Sequence, residues 1–109
     1  MTDKIVVLST CGSPEEAERI AKRLVEKRLA ACVNVVTALR SIYRWRGQVE
    51  EAGETLLLIK SRRELFDAVR VEIEKAHSYE LPEVIALSIV DGSRGYLSWL
   101  ESELAGGEG

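Results

Sequence analysis

The sequence is poor in the residues that build disulfide frameworks, metal clusters and membrane spans. It has two cysteines, Cys11 and Cys32, and one histidine, His77. Two thiols at this spacing match neither a disulfide-stapled fold nor a common zinc pattern. We therefore expect both cysteines to be small buried or half-buried side chains in a reducing compartment. No apolar run approaches the ~20 residues of a membrane-crossing helix. The N-terminus lacks the cleavage site of a secretory signal, so we expect a cytoplasmic protein with no membrane partner.

The chain also lacks long runs of charges of the same sign. The net charge is −3, and acidic and basic residues are interleaved along the chain. Without a basic stripe to follow a phosphate backbone, nucleic acid is not an expected partner. A Gly-rich phosphate loop and a catalytic Ser/His/Asp order are missing too, which favours a binding protein over an enzyme. Apolar residues make up 46% and charged residues 30%, as in a soluble globular protein. We assign one domain to residues 1–109, with a frayed tail at 105–109.

Strand and helix patterns alternate along the chain. Ser13, Pro14 and Glu16 indicate an N-cap, a first-turn proline and a capping box that open a helix. A second capping box at 61–64 predicts another helix. Strand patterns cover residues 5–8, 54–60 and 84–90, and a further strand covers 30–36 and, after a small break, 40–45. A short helical pattern follows Gly92. The order predicts an α+β fold of the ferredoxin-like split βαβ (βαββαβ) type, an antiparallel sheet with both main helices on one face and an extra C-terminal helix.

The central hairpin, residues 30–60, is long for such a fold, in which strands usually have ~5–6 residues. Tyr43 and Trp45 lie near its tip, where a small monomer rarely exposes aromatic side chains. A long two-stranded ribbon is unstable alone in water and leaves edges open for pairing. The pattern therefore predicts a homo-oligomer in which this extended hairpin pairs with another copy of the chain.

His77 admits two interpretations. At the end of the second helix pattern, an imidazole stabilises exposed carbonyls and the negative helix end, typically by ~0.3–1 kcal/mol. Alternatively it is a metal ligand, with Glu80, Glu83 or Cys11 as further donors. The pattern alone favours the helix end, and it does not show whether Cys11 lies near His77.

Four segments, EKRLAACVNVV, SIYRWRGQVEE, HSYELPEVIAL and GYLSWL, together resemble the CutA family of divalent-cation tolerance proteins. The resemblance covers nearly the whole chain, in the right order and spacing. It implies a ferredoxin-like fold assembled as a homotrimer through its long hairpins, similar to the PII signalling proteins. It also implies a cytoplasmic role in tolerance of copper and other divalent ions, with no catalysed reaction.

The resemblance bears on the metal site as well. Copper binding in some members is associated with a cysteine and two adjacent histidines, and the corresponding positions here are Ser9, Ala76 and His77. Cys11 lies two residues beyond Ser9. The resemblance therefore implies a site at His77 and Cys11 that binds copper or another divalent cation weakly.

Two other functions stay open. A PII-like small-molecule sensor would use a cleft between subunits, and a purely structural trimer would use the same side chains for packing only. The residues that we assign to this ligand cleft are Tyr43, Trp45, Lys60, Tyr79, Glu80 and Glu83. The expected partners are other copies of the chain and either a metal ion or a small-molecule ligand.

Overall fold

Residues 2–106 are described by a computed structural model of the chain. The elements in order are β1 (Lys4–Cys11), α1 (Pro14–Glu26), β2 (Cys32–Trp45), β3 (Gln48–Arg62), a short 3-10 helix (Arg63–Leu65), α2 (Phe66–Ala76), β4 (Ile85–Ser88) and α3 (Arg94–Glu103). The sheet has the strand order β2-β3-β1-β4, and each neighbouring pair is antiparallel. The predicted βαββαβ order with an added C-terminal helix is confirmed.

The main core lies between one face of the sheet and the helices α1 and α2. Alternate residues of β1 and β3 point into it, because side chains of a strand alternate between faces. The buried members of this cluster are Ile5, Val7, Cys11, Ala17, Ile20, Ala21, Leu24, Ala30, Leu57, Ile59, Val69 and Ile73. The prediction that both helices share one face is therefore correct. A smaller cluster of Ala31, Leu100 and Leu104 anchors α3.

The N-cap and the first-turn proline of α1 are where the sequence predicts them, but the Glu16 carboxylate does not close the predicted capping box, because it accepts from the Ser78 N–H. Ser13 is the N-cap, its Oγ accepts a hydrogen bond from the Glu16 N–H at 3.2 Å, and Pro14 follows in the first turn. Since the first N–H groups of a helix lack partners within it, this bond satisfies a donor that would otherwise need water.

Replacing Ser13 with alanine should destabilise the protein by about 1 kcal/mol, because the cap acceptor is lost while the backbone is unchanged. Chemical denaturation of Ser13→Ala and wild type at one protein concentration measures the difference. Ser93 offers a matched control, because it is the N-cap residue of α3 without a side-chain cap bond. Equal losses in Ser13→Ala and Ser93→Ala would contradict the assigned cap.

The predicted capping box at 61–64 is wrong. Residues Ser61 and Arg62 still belong to β3, where Ser61 pairs with Ile5 of β1. The Ser61 hydroxyl donates to the Leu29 carbonyl at 2.7 Å, so it connects the strand to the turn that follows α1 and does not cap a helix. Helix α2 begins only at Phe66, after the 3-10 turn.

The hairpin of β2 and β3 forms a long arm. The break expected after residue 36 is a bulge within one strand, where the register shifts between Val36 and Leu39 and Ala38 has φ 61°. At the tip, Arg46 (φ 51°) and Gly47 (φ 82°) make a tight turn in the left-handed region. Two consecutive positive φ values suit the twist of a two-residue hairpin loop.

The last strand and the C-terminal tail differ from the sequence prediction. Strand β4 runs over Ile85–Ser88, shorter than the predicted 84–90. Of the expected frayed tail, Ala105 is held at both backbone groups, since its N–H donates to the Arg28 carbonyl and its own carbonyl accepts from Arg62. Residues 107–109 lie outside the described part of the chain. Between residues 2 and 106, no helix has the length and apolar character to cross a membrane.

The second face of the sheet, opposite α1 and α2, is also apolar. Val6 is in register with Leu87, and Leu8 with Ile85. Residues directly opposite each other on neighbouring strands point to the same side of the sheet, so these two pairs lie on one face. We call this set the open sheet face, and its apolar members are Val6, Leu8, Val36, Leu56, Leu58, Ile85 and Leu87. Leu87 is 54% exposed and Ile85 50%, because neither α1 nor α2 covers this side.

Candidate metal and ligand site

The sheet topology brings Cys11 and His77 together. Because β1 and β4 are antiparallel neighbours, the end of β1 lies beside the segment that leads into β4. His77 follows α2 directly at the start of that segment. One ligand atom each from Cys11, Glu16 and His77 lie within 4.8 Å of one another. We call these three side chains the buried triad.

The His77 imidazole is fully buried and bonded at both nitrogens. Nε2 lies 2.7 Å from the Thr10 carbonyl oxygen, which can only accept, so Nε2 carries the proton. Nδ1 accepts from the Tyr79 N–H at 3.0 Å. The ring is therefore the neutral Nε2–H tautomer. His77 does follow the last turn of α2, but its ring bonds to β1 and to its own loop, and not to the helix carbonyls.

Glu16 is the member of the site that sequence reasoning missed. Its side chain is 10% exposed, Oε2 accepts from the Ser78 N–H at 3.1 Å, and Oε1 lies 3.9 Å from His77 Nδ1. Among residues 2–106, Oε1 has no hydrogen-bond partner. The signal was the helical spacing, because Glu16 stands four residues before Ile20 on the buried stripe of α1. The capping-box interpretation had assigned its carboxylate to the helix N-terminus instead.

The Cys11 thiol is completely buried. Burial raises its pKa to about 11, and the nearby Glu16 and Glu54 carboxylates add to the effect. The thiol is therefore protonated at neutral pH and is not an activated nucleophile. Deprotonation requires either a strongly alkaline solution or a bound cation that stabilises the thiolate.

Native Cys11 should react with iodoacetamide about a hundredfold more slowly than the unfolded chain near pH 8, because a pKa two units higher cuts the thiolate fraction a hundredfold. Burial from solvent adds to this protection. Mass spectrometry on the Cys32→Ser variant, with and without denaturant, isolates the Cys11 thiol. The Cys11→Ser variant is the matched control for Cys32, which is only half-buried. Similar native and denatured rates for Cys11 would contradict the buried, protonated thiol.

Tyr79 connects the buried triad to the arm. Its hydroxyl donates to Glu54 Oε2 on β3 at 2.7 Å, and its ring lies against the His77 ring with centroids 4.6 Å apart. Burial, with the Glu54 bond as the second cause, raises the pKa of Tyr79. A Cβ on Gly12 would lie 3.3 Å from the Tyr79 hydroxyl oxygen, so the glycine leaves room for this ring. Glu54 is a second site residue that the sequence did not reveal.

The remaining residues of the predicted cleft lie in two separate parts of the chain's structure. Glu80 forms an exposed ion pair with Arg46 at 3.1 Å, and the Arg46 guanidinium lies 5.4 Å from the Trp45 ring centroid. The tip of the arm, with Tyr43 nearby on β2, therefore contacts the segment that contains Tyr79. By contrast, Lys60 bonds to Asn34 and lies six residues from Glu54 along β3, about 20 Å at the usual rise of a strand.

Glu83 is exposed on the segment before β4. Within one chain, the structure thus groups Tyr79 and Glu80 with the arm tip and leaves Lys60 at the far end of the strand. A cleft that includes all six predicted residues would have to combine more than one chain.

Comparison with known proteins gives a consistent result. A family model described as CutA1 divalent ion tolerance protein matches residues 5–103. The divalent-cation tolerance protein CutA of Thermus thermophilus is 52% identical over 95 residues, 87% of this chain and 92% of that protein. A solved structure of the divalent cation tolerance protein from Thermus thermophilus matches with a TM-score of 0.92 at 48% identity, covering 94% of this chain and 99% of that chain.

Longer relatives exist as well. The chloroplastic protein CutA of Arabidopsis thaliana is 42% identical over 98 residues, which is 90% of this chain but 54% of that protein. The chain thus spans about half the length of its plant relative.

Proposed function

This chain belongs to the CutA1 divalent ion tolerance family, and on that premise we propose that it is a homotrimeric, non-enzymatic protein that binds divalent metal ions weakly. The buried triad carries the proposal for the metal. It supplies sulfur, nitrogen and carboxylate oxygen within 4.8 Å, which is the donor chemistry that copper and zinc ions accept. We place the protein in the cytoplasm, where a reducing environment suits its two free cysteines.

The open sheet face and the arm support the homotrimer. Their apolar side chains are exposed in the single chain, with Ile42 at 69% and Val49 at 65% on the arm and Leu87 at 54% on the sheet. Soluble monomers seldom expose contiguous apolar surface of this kind. A second and third copy supply matching strands and apolar faces, so closed assembly covers these surfaces in every subunit at once.

The buried triad fits a metal ion without a change of fold. Burying the unpartnered Glu16 Oε1 is costly, and a cation beside it would offset that cost. His77 is already held in one tautomer through the Thr10 carbonyl, so Nδ1 is the nitrogen that faces Glu16. Binding is expected to be weak, because the ion must displace the Tyr79 N–H from Nδ1 and the proton from the Cys11 thiol.

Replacing His77 with alanine should weaken Cu²⁺ binding at least about tenfold, because the only imidazole of the site is lost. Isothermal titration at neutral pH compares wild type, His77→Ala and Lys75→Ala, whose exposed side chain is on the last turn of α2. Circular dichroism confirms that each variant is folded before titration. If His77→Ala binds copper as tightly as wild type, His77 is not a ligand and the proposed metal function fails.

A further inference from the structure

We propose that Glu16 completes, with Cys11 and His77, a three-donor site for a borderline divalent cation of the Zn²⁺ class, in which the ion replaces the Tyr79 N–H on His77 Nδ1. The inference rests on the proposed metal function and deepens it. It differs from the set that the family resemblance indicates, whose positions are occupied here by Ser9, Ala76 and His77. The resemblance already implies Cys11 and His77 as ligands, so Glu16 is the ligand that this inference adds.

Glu16 contributes the observation that carries the inference. Its Oε1 is buried and without a hydrogen-bond partner among the described residues, while Oε2 is held by the Ser78 N–H. The hydrogen bond to Oε2 thus orients the carboxylate, while Oε1 accepts no hydrogen bond from the described part of the chain. Oε1 lies 3.9 Å from His77 Nδ1. Buried polar atoms in native proteins normally have a partner, so an oriented but unpaired oxygen indicates a group that this site receives.

His77 has the arrangement of a metal-binding histidine. Such residues usually donate the distal ring N–H to a carbonyl or carboxylate, which fixes the tautomer and the ring orientation. Here the Nε2–H donates to the Thr10 carbonyl at 2.7 Å, and Nδ1 lies 3.9 Å from Glu16 Oε1. The Nδ1 lone pair accepts from the Tyr79 N–H, a neutral donor that a cation can replace.

The distances suit a tetrahedral ion. Metal–ligand bonds of ~2.0–2.3 Å place tetrahedral ligands about 3.5 Å apart. The three donor atoms lie within 4.8 Å of one another, so side-chain adjustments of about 1 Å close the site. Three protein ligands leave the fourth position to water.

The donor set also selects the type of ion. Thiolate and imidazole disfavour Mg²⁺ and Ca²⁺, which prefer oxygen ligands, whereas a carboxylate makes the site harder than Cu(I) prefers. Zn²⁺ accepts all three donors, and Co²⁺ reproduces its geometry with visible colour. The inference therefore commits to a Zn²⁺-like ion, with Co²⁺ as the probe.

Ion binding has a structural consequence at Tyr79. Once Nδ1 binds the ion, the Tyr79 N–H loses its acceptor, while the tyrosine hydroxyl remains bonded to Glu54 on the arm. The main chain at 78–79 is thus the segment that responds to the ion. Hydrogen exchange at the Tyr79 amide should become faster with bound metal, which a purely structural role of His77 would not produce.

The test is Co²⁺ titration of the full chain under reducing conditions, followed by absorbance of the thiolate-to-cobalt charge-transfer band and the visible ligand-field bands. Wild type and the Cys32→Ser control should show both sets, and Cys11→Ser should lose the thiolate band. Glu16→Gln keeps the size and the Ser78 hydrogen bond but removes the charge. It should bind at least about tenfold more weakly than the control Glu15→Gln, which alters an exposed carboxylate of the same helix turn.

The outcomes separate this inference from the proposed function. If Glu16→Gln binds like Glu15→Gln while His77→Ala loses the ion, the metal function stands and the role of Glu16 is refuted. A thiolate band that survives in Cys11→Ser refutes the ligand set, and an unchanged Tyr79 amide on metal binding refutes the exchange at Nδ1. If His77→Ala also binds unchanged, the proposed function fails together with the inference.

Discussion

Trp45→Ala is expected to shift the protein from the proposed trimer towards monomer, at concentrations where we expect the wild type to be fully assembled. Trp45 stands near the tip of the arm and is 38% exposed in the single chain, with the Arg46 guanidinium over its ring. Buried aromatic side chains dominate interface energies, and truncating one often costs ~2 kcal/mol or more. A loss of about 2 kcal/mol lowers an association constant about thirtyfold. In the proposed trimer, each subunit would carry this loss.

Sedimentation equilibrium over a dilution series measures this shift. The control is Lys22→Ala, an exposed charge on α1 that faces away from the sheet and should alter stability by no more than ~0.5 kcal/mol. Equal association of the two variants would show that the arm tip does not anchor the assembly.

Ile73→Ala should destabilise the folded protein by ~2–5 kcal/mol, because it leaves a cavity in the main core. Ile73 is completely buried between α2 and the sheet. Val71→Ala is the matched control on the same helix, since Val71 is 43% exposed and its loss should cost about 0.5 kcal/mol or less.

Urea unfolding at one fixed chain concentration gives both values, and the concentration must be constant because oligomers gain apparent stability with it. A similar midpoint shift in Ile73→Ala and Val71→Ala would contradict the core assignment. A changed slope would instead indicate that the unfolding transition itself has altered.

The fold was predictable because its signals are local. The apolar stripe of α1 and the β-branched run of β1 follow the periods of helix and strand, and each indicates its own element. The start of α2 was not predictable in this way. Ser61 has the chemistry of an N-cap, but pairing with Ile5 of β1 extends β3 through it, so a long-range contact overrides a local preference.

The candidate site was predictable in part. The place of His77 after the second helix follows from the pattern, whereas its contact with Cys11 depends on β1 and β4 being neighbours. Glu16 was assigned to a capping box because the same residue type serves both roles, and only the direction of its side chain distinguishes them. Lys60 was placed in the cleft by the PII-like hypothesis, although strand geometry separates it from Tyr79 within one chain.

Sedimentation equilibrium of the wild-type chain tests the proposed assembly most directly. One chain has a mass of 12.1 kDa, and we predict a single species of about three times that mass at micromolar concentration. That result is expected if the open sheet face and the arm are covered by further copies. A stable species with the mass of a single chain would contradict the trimer and leave the exposed apolar surface without its proposed partner.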